Sequence, residues 1–306
     1  MFNPSRPLQR FSHLHHHLKP KHTPKIPSPV LKRTMSIPSR PTGLIATSGI
    51  ELLTFGTPNG HKISILLEEL KAQYNKPYTV QSINIMENIQ KEPWFTAFSP
   101  NGRIPAIVDH DRNGFSVFEG AAILAYLTRH YDGDYVFHFK DGDEKSRVEQ
   151  WVAWQHGGLG PMQGQANHFL RFTKEKIQYP IQRYVGETER LYGILNTQLA
   201  SRDYLVGPGR GKYSIADIAS FSWVNFSYMS GITLSTQFPH VHRWWKSIND
   251  RPAVQAGLAV PSLGNFHNAP HEKRLESEED FKEAEAKVKE VLEEAKKAYG
   301  YKFSSP

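Results

Sequence analysis

Thr57 and Asn59 are the first residues along the chain whose types and spacing suit chemistry. They lie in the turn TPNGH, between a predicted strand (ELLTF) and a predicted amphipathic helix (HKISILLEELKAQY). The open backbone amides and the dipole at a helix start favour an anion, and here a hydroxyl and a side-chain amide are added to them. Such donors stabilise a thiolate and lower the pKa of a thiol. Taken alone, the turn favours the simpler alternative that both residues only cap the helix.

Two later segments also place polar groups at the ends of predicted elements. In the segment SPNGRIPAIVD (99–109), a proline one residue into a strand cannot donate to the sheet. A cis Ile104–Pro105 peptide would leave the Ile104 backbone facing outward, able to pair with an extended peptide ligand. Where a strand ends and a helix begins, Glu119 can bind an ammonium and the Gly120 amide a carboxylate. One zwitterion fits there.

The chain has no cysteine among its 306 residues. A disulfide framework, a thiolate metal site and a protein thiol nucleophile are therefore excluded, and any sulfur chemistry must come from a bound molecule. The histidines of the run HLHHH (13–17) lack a regular structure that would fix ligand geometry, so we predict no metal site.

The pattern of predicted elements divides the body of the chain into two halves. Strands and helices alternate over residues 49–134, which predicts an α/β domain. Residues 144–262 read as long helical segments, which predicts an all-α domain. Gly, Asp and Lys accumulate between the two halves, as is typical of a domain boundary.

The first 48 residues form a separate, basic head. Residues 1–50 hold eight Lys and Arg and no acid, so removing those eight from the 37 basic residues leaves 29 against 30 acidic ones, a net charge of −1 for the rest. The charge therefore gives no reason to expect a nucleic-acid surface on the folded part. Eight prolines and the absence of periodicity predict disorder. A mitochondrial transit peptide and a plain solvated tail remain alternatives, and a start at Met35 would give a cytoplasmic form.

The C-terminal extension, residues 263–306, contains a predicted amphipathic helix. The sequence LESEEDFKEAEAKVKEVLEEAKKAY (275–299) places its apolar residues on one stripe. Docking of this stripe on the body is favoured over binding of a partner. The mean hydropathy is −0.53, and no stretch approaches the roughly 20 apolar residues of a membrane helix, so we expect no membrane span.

Two polar motifs in the helical half have structural interpretations. Ser214 and Asp217 have the spacing of a capping box, and we do not expect Asp217 to be catalytic. The segment GPGRGK (207–212) has three residues between its outer glycines and a tyrosine after the lysine, so a tight turn is favoured over a phosphate loop.

Residues 50–262 resemble glutathione transferases. The strings TPNGHKISILLEEL, IQKEPWF, PNGRIPAIVD and especially GGLGPMQGQANHF are most similar to fungal relatives of the yeast nitrogen-regulatory prion protein and to bacterial nu-class disulfide-bond oxidoreductases. The resemblance implies a thioredoxin-like domain followed by an all-α domain, and a homodimer. It also implies glutathione as co-substrate, acting with a small electrophile, peroxide or disulfide. Reduction of disulfides by two glutathione molecules fits a chain without thiols.

The resemblance also assigns residues to the parts of glutathione. Asn59, with Thr57, would contact and polarise the sulfur. Gln90 would approach the glycyl end, Arg103 and Ile104 the cysteinyl backbone, and Glu119 with Gly120 the γ-glutamyl group. Asn167, His168 and Arg171 would line the co-substrate side, with Arg171 as a carboxylate clamp, although packing is an equal alternative for these three.

The chain departs from its apparent family at two points. Gly120 stands where these families usually carry a serine, which removes one hydroxyl contact to the γ-glutamyl carboxylate. The head lacks the Asn/Gln-rich composition of the prion-forming regulator, so prion behaviour and nitrogen regulation are not expected. A non-catalytic regulator or carrier with a glutathione-binding fold remains the alternative function. Nucleic-acid binding through the head is disfavoured.

Overall fold

The computed structural model describes residues 40–262, 264 and 267–300. For residues 1–39, the predictions of a disordered head, a targeting signal, a histidine run without metal and a start at Met35 lie outside the described residues. Residues 40–48, which the sequence also assigned to the disordered head, are described, and this end of the prediction is corrected. Ahead of the first strand, the amides of Ile45 and Ala46 each donate to the Glu51 carboxylate at 2.9 Å. This segment is thereby tied to the sheet.

A four-stranded sheet with the order β2-β1-β3-β4 forms the centre of the first half. Its strands are β1 (Ile50–Thr54), β2 (Tyr78–Ser82), β3 (Ala106–Asp109) and β4 (Phe115–Phe118). β1 runs parallel to β2 and antiparallel to β3, and β4 is antiparallel to β3. Both central strands are buried along their whole length, as expected for strands covered on two faces. The alternating pattern of the sequence is confirmed as a thioredoxin-like layer.

Twelve α-helices occur in the described part of the chain. In the first half they are α1 (Pro58–Tyr74), α2 (Pro93–Thr96) and α3 (Gly120–Tyr131). In the helical half they are α4 (Gly142–Trp154), α5 (Gly160–Asn167), α6 (Gln178–Gln198), α7 (Ile215–Val224), α8 (Leu234–Gln237), α9 (Pro239–Asn249) and α10 (Pro252–Leu258). The C-terminal extension forms α11 (Asn268–Ser277) and α12 (Glu279–Tyr299). None of these helices is both long and apolar enough to cross a membrane.

α4 and α5 belong to one continuous helical run that contains two π-helical turns. The turns are Gln155–Leu159 and His168–Phe172, and the junctions on either side of α5 keep right-handed helical backbone angles. Pro161 follows the first turn and lacks the N–H that a regular helix would use there. The long helical segments predicted for this half are therefore joined here into a single run. Such π-turns often occur at functional sites.

α1 is buried almost all round, which corrects the prediction that it is amphipathic. Every residue from Gly60 to Leu67 is buried, including Lys62, because α3 covers one side and α7 and α10 of the helical half cover others. Gly257 allows this close approach, since a Cβ there would lie 2.6 Å from the Ile65 Cα. The Ser64 hydroxyl donates to the Gly257 carbonyl at 2.7 Å. The helix that begins at the candidate catalytic turn is therefore held rigidly between the two halves.

The polar motifs of the helical half have the structural roles expected of them. Ser214 and Asp217 form the predicted capping box. The Asp217 carboxylate also accepts the Trp244 indole N–H at 2.9 Å and the Leu205 amide at 3.0 Å. Burial raises the pKa of Asp217 to about 6. The segment 207–212 forms the predicted tight turn, closed by the Lys212 amide on the Val206 carbonyl at 2.7 Å.

The C-terminal helix docks on the body, as the sequence favoured. Leu292 and Ala295 of α12 are buried against Leu170, Ile181 and Val185. At an average gain of about 25 cal/mol per Å² of apolar surface, these two side chains contribute a few kcal/mol at most. The ion pair between Arg171 and Glu285 of α12 adds to this contact.

Candidate active site

A cleft of about 890 Å³ opens where the first half meets the helical half. Its walls come from the start of α1, the segment 99–105, the start of α3 and the helical run from Gln155 to Phe172. This volume lies within the range of ordinary small-molecule sites. Eight of the ten predicted site residues line it: Thr57, Asn59, Gln90, Arg103, Ile104, Glu119, Gly120 and His168. Their roles toward a ligand stay predictions.

The start of α1 is a capped helix N-terminus that borders the cleft. Thr57 is the N-cap, in extended backbone conformation, and its Oγ1 accepts the Gly60 amide at 3.2 Å. Only glycine fits at position 60, because a Cβ would lie 2.1 Å from the Phe55 carbonyl oxygen. Pro58, at the first helical position, has no N–H to satisfy. The positive end of the helix dipole therefore points into the cleft.

Asn59 is fixed by a residue of the helical half. The Trp223 indole Nε1 donates to Asn59 Oδ1 at 3.1 Å. Since an indole can only donate, the carboxamide must present its oxygen to Trp223 and its two N–H groups elsewhere. Trp223 itself lines the cleft and is 9 % exposed. Asn59 is thus a preoriented donor at the start of α1.

Glu119 has a strained backbone where it borders the cleft at the start of α3. Its φ of +70° is unusual for a residue other than glycine, and such strain often accompanies function. Its carboxylate contacts the Asn101 amide nitrogen at 3.4 Å and the His156 Nε2 at 3.3 Å. An acceptor of this kind suits a ligand ammonium.

Lys62 brings a buried amine to the same cleft. Its side chain is 2 % exposed and its Nζ donates to Gln155 Oε1 at 2.9 Å. Burial lowers the pKa of Lys62 to about 7, and the Glu119 carboxylate opposes this effect. The amine is therefore partly neutral near pH 7 and can gain a proton when an anion binds.

The segment around Arg103 also lines the cleft. The Ile104–Pro105 peptide is cis, as the sequence suggested. Arg103 is exposed, and its carbonyl accepts the Ser99 hydroxyl at 2.8 Å. Gln90 is buried beside this segment, and its Oε1 has no partner in the described part of the chain. Gln90, Arg103 and Ile104 therefore belong to one part of the cleft lining.

Two of the predicted co-substrate residues do not line the cleft. Arg171 pairs with Glu285 of α12 through two bonds of 2.7 and 2.8 Å and donates to the Tyr228 and Met229 carbonyls. The prediction of a carboxylate clamp at Arg171 is wrong, because the guanidinium is engaged in docking the C-terminal extension. Asn167 is buried and accepts the Ser230 hydroxyl at 2.6 Å. The packing alternative holds for both.

Four residues of the site did not follow from the sequence: Lys62, Gln155, His156 and Trp223. Lys62 resembles a solvent-facing residue of an amphipathic helix. Trp223 lies at a helical spacing typical of core residues, and it both packs in the core and holds Asn59. The string QHGG, which breaks the helical pattern with two glycines, was the available signal for Gln155 and His156.

Comparison with known families agrees with this geometry. Residues 57–130 match the model of the glutathione S-transferase N-terminal domain, and residues 162–252 match that of the C-terminal domain. The chain belongs to the glutathione S-transferase family. The resemblance expected from the sequence is confirmed.

Among its relatives, this glutathione S-transferase family member is similar to the disulfide-bond oxidoreductase YfcG of Escherichia coli. The two are 40 % identical over 220 residues, which cover 71 % of this chain and 97 % of YfcG. The transcriptional regulator URE2 of Saccharomyces cerevisiae is 32 % identical over 233 residues, covering 66 % of this chain and 65 % of URE2. Both relatives expected from the sequence strings are therefore found.

Solved structures of the family show the same fold. The glutathione transferase homolog of Lodderomyces elongisporus was crystallised with two glutathione molecules per subunit. It matches with a TM-score of 0.65 and 38 % identity over 70 % of this chain and 99 % of that one. Among the described residues lining the present cleft there is no tyrosine, and the whole chain has no cysteine. Thr57 and Asn59 are thus side-chain donors at the start of α1, next to the positive end of its helix dipole.

Proposed function

We propose that this protein is a glutathione-dependent disulfide reductase. The observation that supports this most is the Asn59 carboxamide, which lines the cleft at the start of α1 and is held by the Trp223 indole. Together with the Thr57 hydroxyl and the helix dipole, it would stabilise the glutathione thiolate and so lower the thiol pKa. The similarity to YfcG over nearly its whole length supports disulfides as the substrate class.

The reaction needs no group from the protein that changes its oxidation state. The glutathione thiolate attacks one sulfur of the substrate disulfide, so a mixed disulfide forms and the first substrate thiolate leaves and takes up a proton. A second glutathione thiolate attacks the glutathione sulfur of the mixed disulfide, which gives oxidised glutathione and releases the second substrate thiol. Two glutathione molecules are oxidised and one disulfide is reduced.

The cleft is large enough and suitably lined for both steps. Positions 57 and 59 would hold the reacting sulfur, and Glu119 would hold the γ-glutamyl ammonium. His168 and Phe172 form the wall where the disulfide or the second glutathione would bind. Thiolate stabilisation and positioning supply the catalysis. A homodimer, as the family resemblance implies, is part of the proposal.

The test is glutathione-dependent reduction of 2-hydroxyethyl disulfide by the purified full chain. Turnover is followed through the oxidised glutathione that forms, for the wild type and for Asn59→Ala. Removing one fixed donor from a developing or bound anion is expected to lower kcat about 10²- to 10³-fold. Asn249→Ala, at the end of α9 and outside the cleft, is the matched control and should keep wild-type turnover.

The alternative is a non-catalytic regulator or carrier, which the likeness to URE2 favours. A wild-type protein that binds glutathione in calorimetry but shows no turnover would support this alternative. Full turnover in Asn59→Ala would instead contradict the role of Asn59 in stabilising the thiolate.

A further inference from the structure

Lys62 and Gln155 present two buried hydrogen-bond donors to the cleft. The side chains are 2 % and 1 % exposed. The Lys62 ammonium has three N–H groups, and the bond to Gln155 Oε1 at 2.9 Å uses one of them. Gln155 Nε2 has no hydrogen-bond partner in the described part of the chain. Buried donors are normally satisfied, so this pair indicates a missing acceptor.

The missing acceptor must fit beside Gly120. A Cβ built on Gly120 would lie 3.5 Å from Lys62 Nζ, so the amine borders the space that a serine side chain at this position would enter. Gly120 begins α3, where the first backbone amides lack helical partners. A cationic side chain and a helix start thus meet beside Gly120, and Gln155, which holds the amine through its Oε1, places its own Nε2 on the neighbouring wall beside Gly160.

Anions are the ligands that such a combination selects. The negative group cannot be Glu119 itself, because its carboxylate turns toward Asn101 and His156. Glu119 and His156 are the titratable groups next to this point from α3 and from the π-turn. A carboxylate accepts several hydrogen bonds and suits both the amine and the amide donors.

We infer that Lys62 and Gln155 form the binding site for the α-carboxylate of the γ-glutamyl group of glutathione. This inference rests on the proposed use of glutathione. It assigns to Lys62 the contact that a serine hydroxyl at position 120 would make. Glu119, at the same helix start, holds the neighbouring ammonium. The γ-glutamyl zwitterion thus binds to one acceptor, Glu119, and to one cation, Lys62.

Binding at this site is coupled to a proton. Burial lowers the pKa of Lys62 to about 7 in the protein without ligand, and a bound carboxylate raises it again. Binding near pH 8 should therefore be accompanied by net proton uptake, which is measured by calorimetry in buffers of different ionisation enthalpy.

The test compares two ligands and two lysine variants. The first ligand is S-methylglutathione, which has no thiol to ionise. The second is its analogue with 4-aminobutyryl in place of γ-glutamyl, which lacks only the α-carboxylate. Lys62→Met keeps the length of the side chain and removes the amine. Lys71→Met, on the exposed part of the same helix, is the matched control.

Lys62→Met is expected to lose affinity only for the ligand that carries the α-carboxylate. Lys62→Met should weaken S-methylglutathione binding roughly 10- to 100-fold, as for a hydrogen bond to a charged group, and abolish proton uptake. The same variant should bind the 4-aminobutyryl analogue as the wild type does. Gln155→Met should show the same selectivity to a smaller extent, and it serves as the test if Lys62→Met does not fold.

Three results overturn the inference. Equal weakening of both ligands would give Lys62 a purely structural role, and unchanged S-methylglutathione affinity would remove it from the site. A wild-type protein that binds neither ligand would overturn both this inference and the proposed function. Ligand binding without disulfide turnover would overturn only the proposed function, because the affinity ratio still decides the role of Lys62.

Discussion

The Trp223 indole donates to Asn59 Oδ1 at 3.1 Å across 164 residues of sequence. A tryptophan of the all-α half thus sets the direction of a carboxamide in the thioredoxin-like half. Because the donor is fixed in the packed interior, the carboxamide of Asn59, which lines the cleft, is oriented before any ligand arrives. Preorganisation of this kind lowers the cost of stabilising an anion.

Trp223→Phe is predicted to lower turnover without preventing binding. Phenylalanine keeps an aromatic ring in the packed position but removes the indole N–H, so the carboxamide of Asn59 can rotate. The loss of one hydrogen bond should reduce kcat about 3- to 10-fold and leave the KM for glutathione nearly unchanged. Steady-state kinetics measures this, with Trp154→Phe, outside the cleft lining, as the control. A raised KM with unchanged kcat would contradict the orienting role.

Gly120→Ser is predicted to tighten glutathione binding. A Cβ at this position meets its nearest atom, Lys62 Nζ, at 3.5 Å, which is ordinary contact. The added hydroxyl can donate to the same carboxylate that the helix start receives, so we expect about 2- to 10-fold higher affinity by calorimetry. Gly120→Ala adds the methylene without the hydroxyl and should give no gain. Equal gains in both variants would show that backbone stiffening is responsible.

The stability of the protein is predicted to fall below pH 6.5 because of His61. This side chain is 2 % exposed, packs on Phe226, and has no partner for either ring nitrogen among the described residues. Burial, and secondarily the charge of His267, lowers the pKa of His61 from 6.5 to about 4. Below pH 6.5 the unfolded chain therefore binds a proton at His61 that the folded chain does not bind. The free energy of unfolding decreases as pH falls from 6.5 toward 4.

The size of the His61 effect can be measured by urea unfolding at pH 7.5 and pH 5. The shift corresponds to a loss of about 2 kcal/mol in the free energy of unfolding between these values. His61→Gln cannot titrate, so its own loss over the same range should be smaller by about that amount. An identical pH dependence in the variant would assign the loss to other groups.

Glu285→Gln is predicted to loosen the C-terminal extension. Burial alone would raise the pKa of Glu285, but its bonds to Arg171 and His271 lower it to about 2. The charge pair is therefore formed at all ordinary pH values. Glutamine keeps the shape but leaves the Arg171 guanidinium without a counter-charge, which should cost about 1–3 kcal/mol. Glu283→Gln on the exposed side of α12 should stay within about 0.5 kcal/mol.

Hydrogen exchange localises the effect of Glu285→Gln. Faster exchange is expected in α12 and in the π-turn His168–Phe172, with α1 unchanged. Faster exchange throughout the chain would contradict local loosening and indicate a general loss of stability.

The sequence predicted the parts of the fold that depend on local pattern. The strand at 50–54, the helix after Thr57 and the capping box at Ser214 each carry a short-range signal, such as an apolar run or a capping spacing. The cleft residues Thr57, Asn59, Arg103 and Glu119 lie at element ends, where open backbone groups mark a site. The family resemblance connected these separate turns, which periodicity alone does not do.

What the sequence missed depends on contacts between distant segments. Nothing local distinguishes Lys62 from the exposed Lys71 on the same helix, since its burial comes from α3, α7 and α10. The π-turn that carries Gln155 changes the direction of that side chain by a fraction of a turn, which helical spacing cannot anticipate. Arg171 stands next to the cleft in sequence, but it faces Glu285, 114 residues later.

Glu285 comes 114 residues after Arg171 in the sequence, so their ion pair can form only late in protein synthesis. A ribosome makes Arg171, with its neighbours His168 and Phe172 in the cleft wall, long before it makes α12. Until α12 emerges, the guanidinium has no carboxylate to meet, and Leu170 lacks the cover of Leu292. In a nascent or prematurely terminated chain, the π-turn that carries His168 and Phe172 therefore lacks the contacts that α12 makes with Arg171 and Leu170. The last support of this part of the cleft wall is added only when translation of α12 is complete.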